Sequence, residues 1–232
     1  MTNNLCGLDE QFVAYYDKLR NELNKAHTHY EISKCLKKAI QAHNAEFNEA
    51  TTFFALTIDA HLFATVMSIS RFTDRQRDSL HLKVFFKFVL DNLDMFSADN
   101  FKRRLHIKGT EDEDCEYWAA KHTNITCEMV YQDKARIESL PISNIRTWRD
   151  KKIAHIEKDL VIKNIDIMKE HPVTIQEIDN VIDTFHEILN RYRVAYDGTA
   201  WAIGLPSVDH QITYIMDALK SYRQSRRNHN HT

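Results

Sequence analysis

Apolar residues recur at three- and four-residue intervals along most of the chain. From Leu8 to about Ala26, Phe12, Tyr15, Tyr16, Leu19 and Leu23 form one stripe with Asp9 in the first turn, the pattern of an amphipathic helix. The rhythm resumes from Tyr30 to about Ile69 through Ile32, Leu36, Ile40, Phe47, Phe54, Ile58 and Leu62, as one helix or two; rich in Ala and Leu and free of Pro, the stretch favours helix over strand. It breaks at Ser70-Arg71-Phe72-Thr73-Asp74. Ser79 is placed to cap a helix over Leu80–Leu93. Its run Val84–Val89 is the most strand-like in the chain, but its apolar positions persist for about four turns. Phe96–Ile107 is short and basic at Lys102-Arg103-Arg104. Residues 108–116 read as an exposed acidic loop, followed by a helix from about Glu116 to Leu140. Pro141 suits the first turn of the next helix, which carries Ile142, Ile145 and Trp148. His171-Pro172 is a turn. Thr174 and Glu177 form a capping box for a strong helix that stops at Asp197-Gly198. Pro206-Ser207 opens a last amphipathic helix from Val208 to about Arg223. No internal repeat or heptad array is visible.

This pattern predicts an all-α protein with a single domain over 8–224 and a polar tail over 225–232. Only 4 Gly and 3 Pro are present, too few for the turns of a sheet protein or a Gly-rich nucleotide-binding fold. A hydrophobic share of 43% supplies a core. The net charge of −2 argues against coating nucleic acid by bulk charge and leaves room for a local basic site. Cys6, Cys35, Cys115 and Cys127 show no C-x-x-C spacing, which points to free thiols in a reducing cytoplasm. The most apolar run, Phe53–Ile69, contains Asp59 and His61, so a buried helix is expected there and no membrane span. Met1–Cys6 lacks the basic-then-apolar order of a signal peptide.

One segment concentrates chemistry. Arg146-Thr147-Trp148-Arg149-Asp150-Lys151-Lys152-Ile153-Ala154-His155 packs four cations, one carboxylate and one imidazole into ten positions. Histidine exchanges protons near neutral pH, and the arginine fork matches phosphate oxygens. Together they suffice for metal-free RNA cleavage, with His155 moving protons and Arg149 stabilising the charge that builds on phosphorus. Lys151, Lys152 and Arg146 are candidate RNA-steering charges. On an ideal α-helix Arg149 and His155 are about 120° apart around the axis and about 9 Å apart along it. A compact site therefore calls for a bend in the helix or a second copy of the segment across a twofold dimer. Trp148 is read as dimer or core packing, with base stacking as the alternative. Arg71, Asp74, Arg75, Arg77 and Asp78 form a salt-bridged corner or a secondary RNA surface. Cys115, His122 and Cys127 match no standard metal spacing, and no cofactor is expected.

Arg149-Asp150-x-x-x-x-His155 resembles the arginine-to-histidine signature of the HEPN superfamily. The fuller string Arg149 to His155, Met67–Asp74 with Asp78-Ser79-Leu80, and the helix that begins at Thr174 resemble its abortive-infection AbiU-type branch over about residues 10–220. The resemblance implies a helical bundle of long antiparallel helices with short additional ones, and a homodimer with the motif at its interface. It also implies metal-independent endoribonuclease activity, leaving a cyclic phosphate, in phage defence or as a toxin with an antitoxin or defence partner. Arg149, His155 and Asp150 would then be the catalytic residues. The other reading is a non-catalytic helical module that binds RNA, a nucleotide or a protein. Ile156-Glu157 stand where some HEPN toxins carry a tyrosine, so control by tyrosine modification is not implied.

Overall fold

The computed structural model describes residues 2–74, 76, 78–154, 166–204 and 208–229; for 2–6, 152–154 and 228–229 it describes the backbone alone. Among these residues the secondary structure is entirely helical, which bears out the all-α expectation. The α-helices are α1 Thr2–Ala42, α2 Asn44–Phe47, α3 Thr51–Phe72, α4 Leu82–Asp91, α5 Ala98–Ile107, α6 Asp112–Ala120, α7 Cys127–Glu138, α8 Ile142–Trp148, α9 Ile167–Glu170, α10 Ile175–Asp197 and α11 Val208–His229. A 3₁₀ turn, Leu93–Phe96, precedes α5, and a π-helical segment, Arg149–Ala154, continues α8.

The boundaries depart from the sequence expectation in instructive places. The polar stretch Lys25-Ala26-His27-Thr28-His29 contains no helix breaker, so α1 runs through it to Ala42. Residues 112–116 are not a loop. Asp112, Glu113 and Asp114 occupy the first turn of α6, where carboxylates favour the helix macrodipole. The fully buried Cys115 docks that helix on Phe101 and Leu105 of α5. The long helix expected over 116–140 is in fact two, because Thr126 caps a new start by accepting from the Met129 amide. The N-cap of α4 is the extended His81; Ser79 instead donates its hydroxyl to the Gln76 carbonyl, 3.0 Å away. The Thr174–Glu177 capping box forms as expected. At the far end of α10, Gly198 has φ 73°. A Cβ there would meet the Phe101 ring at an ordinary contact distance of 3.4 Å, so it is the conformation that selects glycine.

The chain divides into two compact units, 1–23 with 69–202, and 24–68 with 203–232. In the larger unit, aromatic side chains fill the core. Phe12 packs on Tyr196 (4.3 Å between ring centroids) and edge-on to Phe96, Phe85 meets Tyr192 edge-on, and Phe72 stacks on Phe185 at 4.7 Å. Arg193 lies over the Tyr16 ring while Phe12 meets Tyr196, so α1 and α10 run antiparallel. Two buried polar groups are satisfied within this core. Asp133 receives Arg191 and the Tyr192 hydroxyl (2.9 Å), and Arg104 donates to Asp9 and to the carbonyls of Met95 and Tyr196.

In the smaller unit α1 and α3 are antiparallel, since Thr65 bonds back to Ala26 while His61 meets His29. Leu36, Phe54, Ile212 and Met216 form its core. Helix α3 is long and apolar enough to cross a bilayer by length and composition. Its expected burial holds for the C-terminal half; near the other end Phe53 is 65% and Leu56 64% exposed.

Candidate functional site

The motif helix begins at Pro141, just before Ile142, and buries Ile142, Ile145 and Trp148. Trp148 is 4% exposed, and its indole N–H donates to the His171 carbonyl at 2.6 Å. Its role is therefore core packing within one chain. It offers no free face for a base and does not project toward a second subunit. Asn144 adds a bond to the Pro172 carbonyl, tying α8 to the segment after α9.

From Arg149 the helix changes type. The π segment Arg149–Ala154 pairs residues five apart instead of four, widening the turn. The angular separation worked out for an ideal α-helix therefore does not describe this stretch. Such insertions concentrate at functional sites because they re-aim side chains at little cost to the rest of the fold. His155 lies outside the described residues, as do the side chain of Lys152 and residues Arg75 and Arg77.

Arg149 sits between two carboxylates. Its Nε donates to Asp150 Oδ1 at 2.6 Å, and its Nη1 lies 3.9 Å from Asp74 Oδ1. The Asp150 bond, opposed by partial burial, pushes the guanidinium's pKa further up, so the cation is permanent. Asp150 is half exposed, and Arg149 and Asp74 are each about three-quarters buried. The fork is thus preset by acidic partners that a phosphate would have to supplant.

Arg146, one turn earlier, points elsewhere. Its Nη2 donates to the Thr73 carbonyl at 2.8 Å and its Nε to the Thr73 hydroxyl at 3.2 Å. This brace fixes the end of α3 against α8 and so positions Asp74 beside Arg149. Lys151 is partly buried. Of the charged corner, Arg71 pairs with the buried Glu22 at 2.8 Å, whereas Asp74 belongs to the motif.

His81 joins the same neighbourhood, although no sequence pattern singles it out. It is 6% exposed, and its Nδ1 has no hydrogen-bond partner. Burial lowers its pKa, while Asp74 and a bond to the Gln76 backbone act the other way. The one signal for it is local: it follows Asp78-Ser79-Leu80, a string that belongs to the family resemblance, yet a single histidine beside a helix start carries no periodicity of its own.

A cavity of 460 Å³ opens next to this network, with Thr73 and Arg146 in its wall and Phe72, Phe86 and Ile137 beneath. His122, a residue type that could ligate a metal, instead bonds the Phe96 carbonyl at 2.7 Å and stacks on Phe101, which accounts for it structurally.

Among known families, the family model described as AbiU2, of the HEPN class, matches residues 9–220. No curated protein and no solved structure matches the chain.

Proposed function

Since the chain belongs to the AbiU2 family of HEPN proteins, we propose that it is a metal-independent endoribonuclease of the cytoplasm, acting in phage defence or as a toxin. The observation that carries this reading is the π-helical segment that opens at Arg149-Asp150, beside a cavity.

In the proposed reaction His155 accepts the proton of an RNA 2′-hydroxyl. The 2′-oxygen attacks the adjacent phosphorus, forming a P–O2′ bond as the P–O5′ bond breaks. A second proton transfer, from the protonated imidazole, neutralises the leaving 5′-oxygen. The products are a 2′,3′-cyclic phosphate and a 5′-hydroxyl. Arg149 stabilises the charge on the equatorial oxygens, where a planar cation acts best. Asp150 holds the guanidinium plane before RNA arrives, and Lys151 and Lys152 steer the strand. A homodimer brings two such segments together and presents the surface on which an antitoxin or defence partner would act.

The neutralisation of Arg149 by Asp74 and Asp150 gives a second reading specific support, namely a non-catalytic module that binds RNA, a nucleotide or a protein. Labelled total RNA incubated with the purified chain in excess chelator separates the two. The ribonuclease reading expects cleavage with cyclic phosphate ends, lowered roughly 100- to 10,000-fold by His155→Ala, the range for loss of a general acid or base. Cleavage that persists unchanged in both His155→Ala and Arg149→Ala refutes it.

A further inference from the structure

The cavity beside the motif has the size and composition of a seat for one small, partly polar group. Phe72, Leu82 and Phe86 lie buried behind its lining, and Leu140 is its partly exposed apolar residue. Lys83 and Lys134 stand at its edge, with Glu138 and Ser143 as the other polar groups there. Its 460 Å³ lies within the range of small-ligand pockets, which are apolar with a few placed polar groups. Lys83 is exposed, Lys134 is half-buried with its ammonium over the Tyr131 ring at 5.2 Å, and the one acid among the residues that line the cavity is Glu138.

Position decides what such a seat is for. Thr73 lies in its wall and Asp74, the next residue, is the partner of Arg149. Arg146 also lies in its wall, and Arg149 follows on the same helix three residues later. Both walls of the cavity therefore run directly into the charge network of the motif.

The geometry points to this cavity as the binding site for a nucleotide of the RNA substrate, the one neighbouring the phosphate that Arg149 addresses. The nucleotide enters beside Leu140 and Ser143, its phosphate meets Lys83 and Lys134, and Glu138 accepts from an exocyclic amino group of the base. Cytosine, adenine and guanine carry such a group and uracil does not, so uridine is disfavoured. This assignment rests on the ribonuclease reading for the identity of the strand, but the pocket itself is testable without cleavage.

The experiment titrates the intact chain with the four nucleoside 5′-monophosphates, with inorganic phosphate, and with a short 2′-O-methylated oligoribonucleotide that cannot react. Expected are binding of the amino-bearing monophosphates at least fivefold tighter than UMP and competition by the oligonucleotide. Ser143→Phe, on an exposed position at the mouth, should weaken nucleotide binding at least tenfold, while Ser143→Ala, a control for the position, retains it. Lys83→Glu with Lys134→Glu should weaken it similarly, and Glu138→Leu should erase the preference against UMP. Arg149→Ala should leave monophosphate binding within threefold. Circular dichroism verifies the fold of each variant. No binding by any monophosphate, inorganic phosphate competing as well as the nucleotides, or an oligonucleotide that fails to compete overturns the proposal. Cleavage that needs Arg149 and His155 but ignores Ser143→Phe sinks the pocket and spares the ribonuclease reading; nucleotide binding that follows the pocket variants while cleavage ignores Arg149 does the reverse.

Discussion

Replacing Arg146 with methionine separates two roles that one side chain could play. The sequence expectation makes Arg146 an RNA-steering cation; the structure turns its guanidinium onto the carbonyl and hydroxyl of Thr73. Methionine keeps much of the stem's packing and removes the donors. Each hydrogen bond from a charged donor contributes about 1.5–3 kcal/mol. Partial solvent access at Arg146 lets water replace some of that, so the net loss should be about 2–4 kcal/mol. Urea unfolding followed by circular dichroism should show the midpoint fall accordingly. RNA binding, measured as the dependence of affinity on salt, should keep its slope; a cation that neutralised one phosphate of a single strand would, on removal, lower that slope by about 0.7. Cleavage should fall, since Asp74 is no longer held beside Arg149. An unchanged urea midpoint together with a reduced salt slope would refute the brace and restore Arg146 to the RNA surface.

Three further perturbations follow from geometry. His61 and His81 are each held below the ordinary histidine range, first of all by burial, so the folded state prefers both neutral; stability should be full above about pH 6.5 and decline as pH falls below it, and His61→Gln should flatten part of that decline in urea midpoints taken at pH 7.5 and 5.5. Gly198→Ala puts a Cβ at a positive φ and should cost about 1–2 kcal/mol in the same assay, whereas Gly7→Ala, inside α1 with nothing within 4 Å, should cost nothing. Alkylation with iodoacetamide at pH 8, followed by mass spectrometry, should mark the exposed Cys127 well before Cys35, whose thiol burial pushes up to about 11, and Cys115, which is fully buried; equal rates would show that the α5–α6 contact opens freely.

The helical character was legible because Phe12, Tyr16, Leu19 and Leu23 recur at the helical period and burial follows that period. The capping box at Thr174 was equally legible, since it is a local bond between near neighbours. Boundaries were less so. At His27–His29 polarity mimicked a break, and at Asp112–Asp114 a run of acids mimicked a loop, because a helix tolerates both when tertiary contacts or its dipole support them. Of the candidate site, Arg149 and Asp150 stood out by residue type and order. Asp74 was legible as part of a charged corner but not as the partner of Arg149, and His81 was not legible at all, because the pairing of Asp74 with Arg149 and the approach of His81 to Asp74 exist only after packing. The diversion of Arg146 to Thr73 is of the same kind: a charge in a basic string says nothing about which way it faces.

The π-helical segment also changes what the spacing of the motif means. A residue count is a spatial measure only where every residue advances and turns the helix by the same increment, and from Arg149 to Ala154 that rule is suspended. Substitutions there alter side chains on a fixed backbone. Losing or gaining one residue would instead reset the backbone pairing within the segment while α8 before it, anchored by Trp148, stays where it is. A substitution at Lys151 therefore changes one side chain, whereas an insertion or deletion between Arg149 and Ala154 changes the pairing of the whole segment, so here length and identity are separate variables.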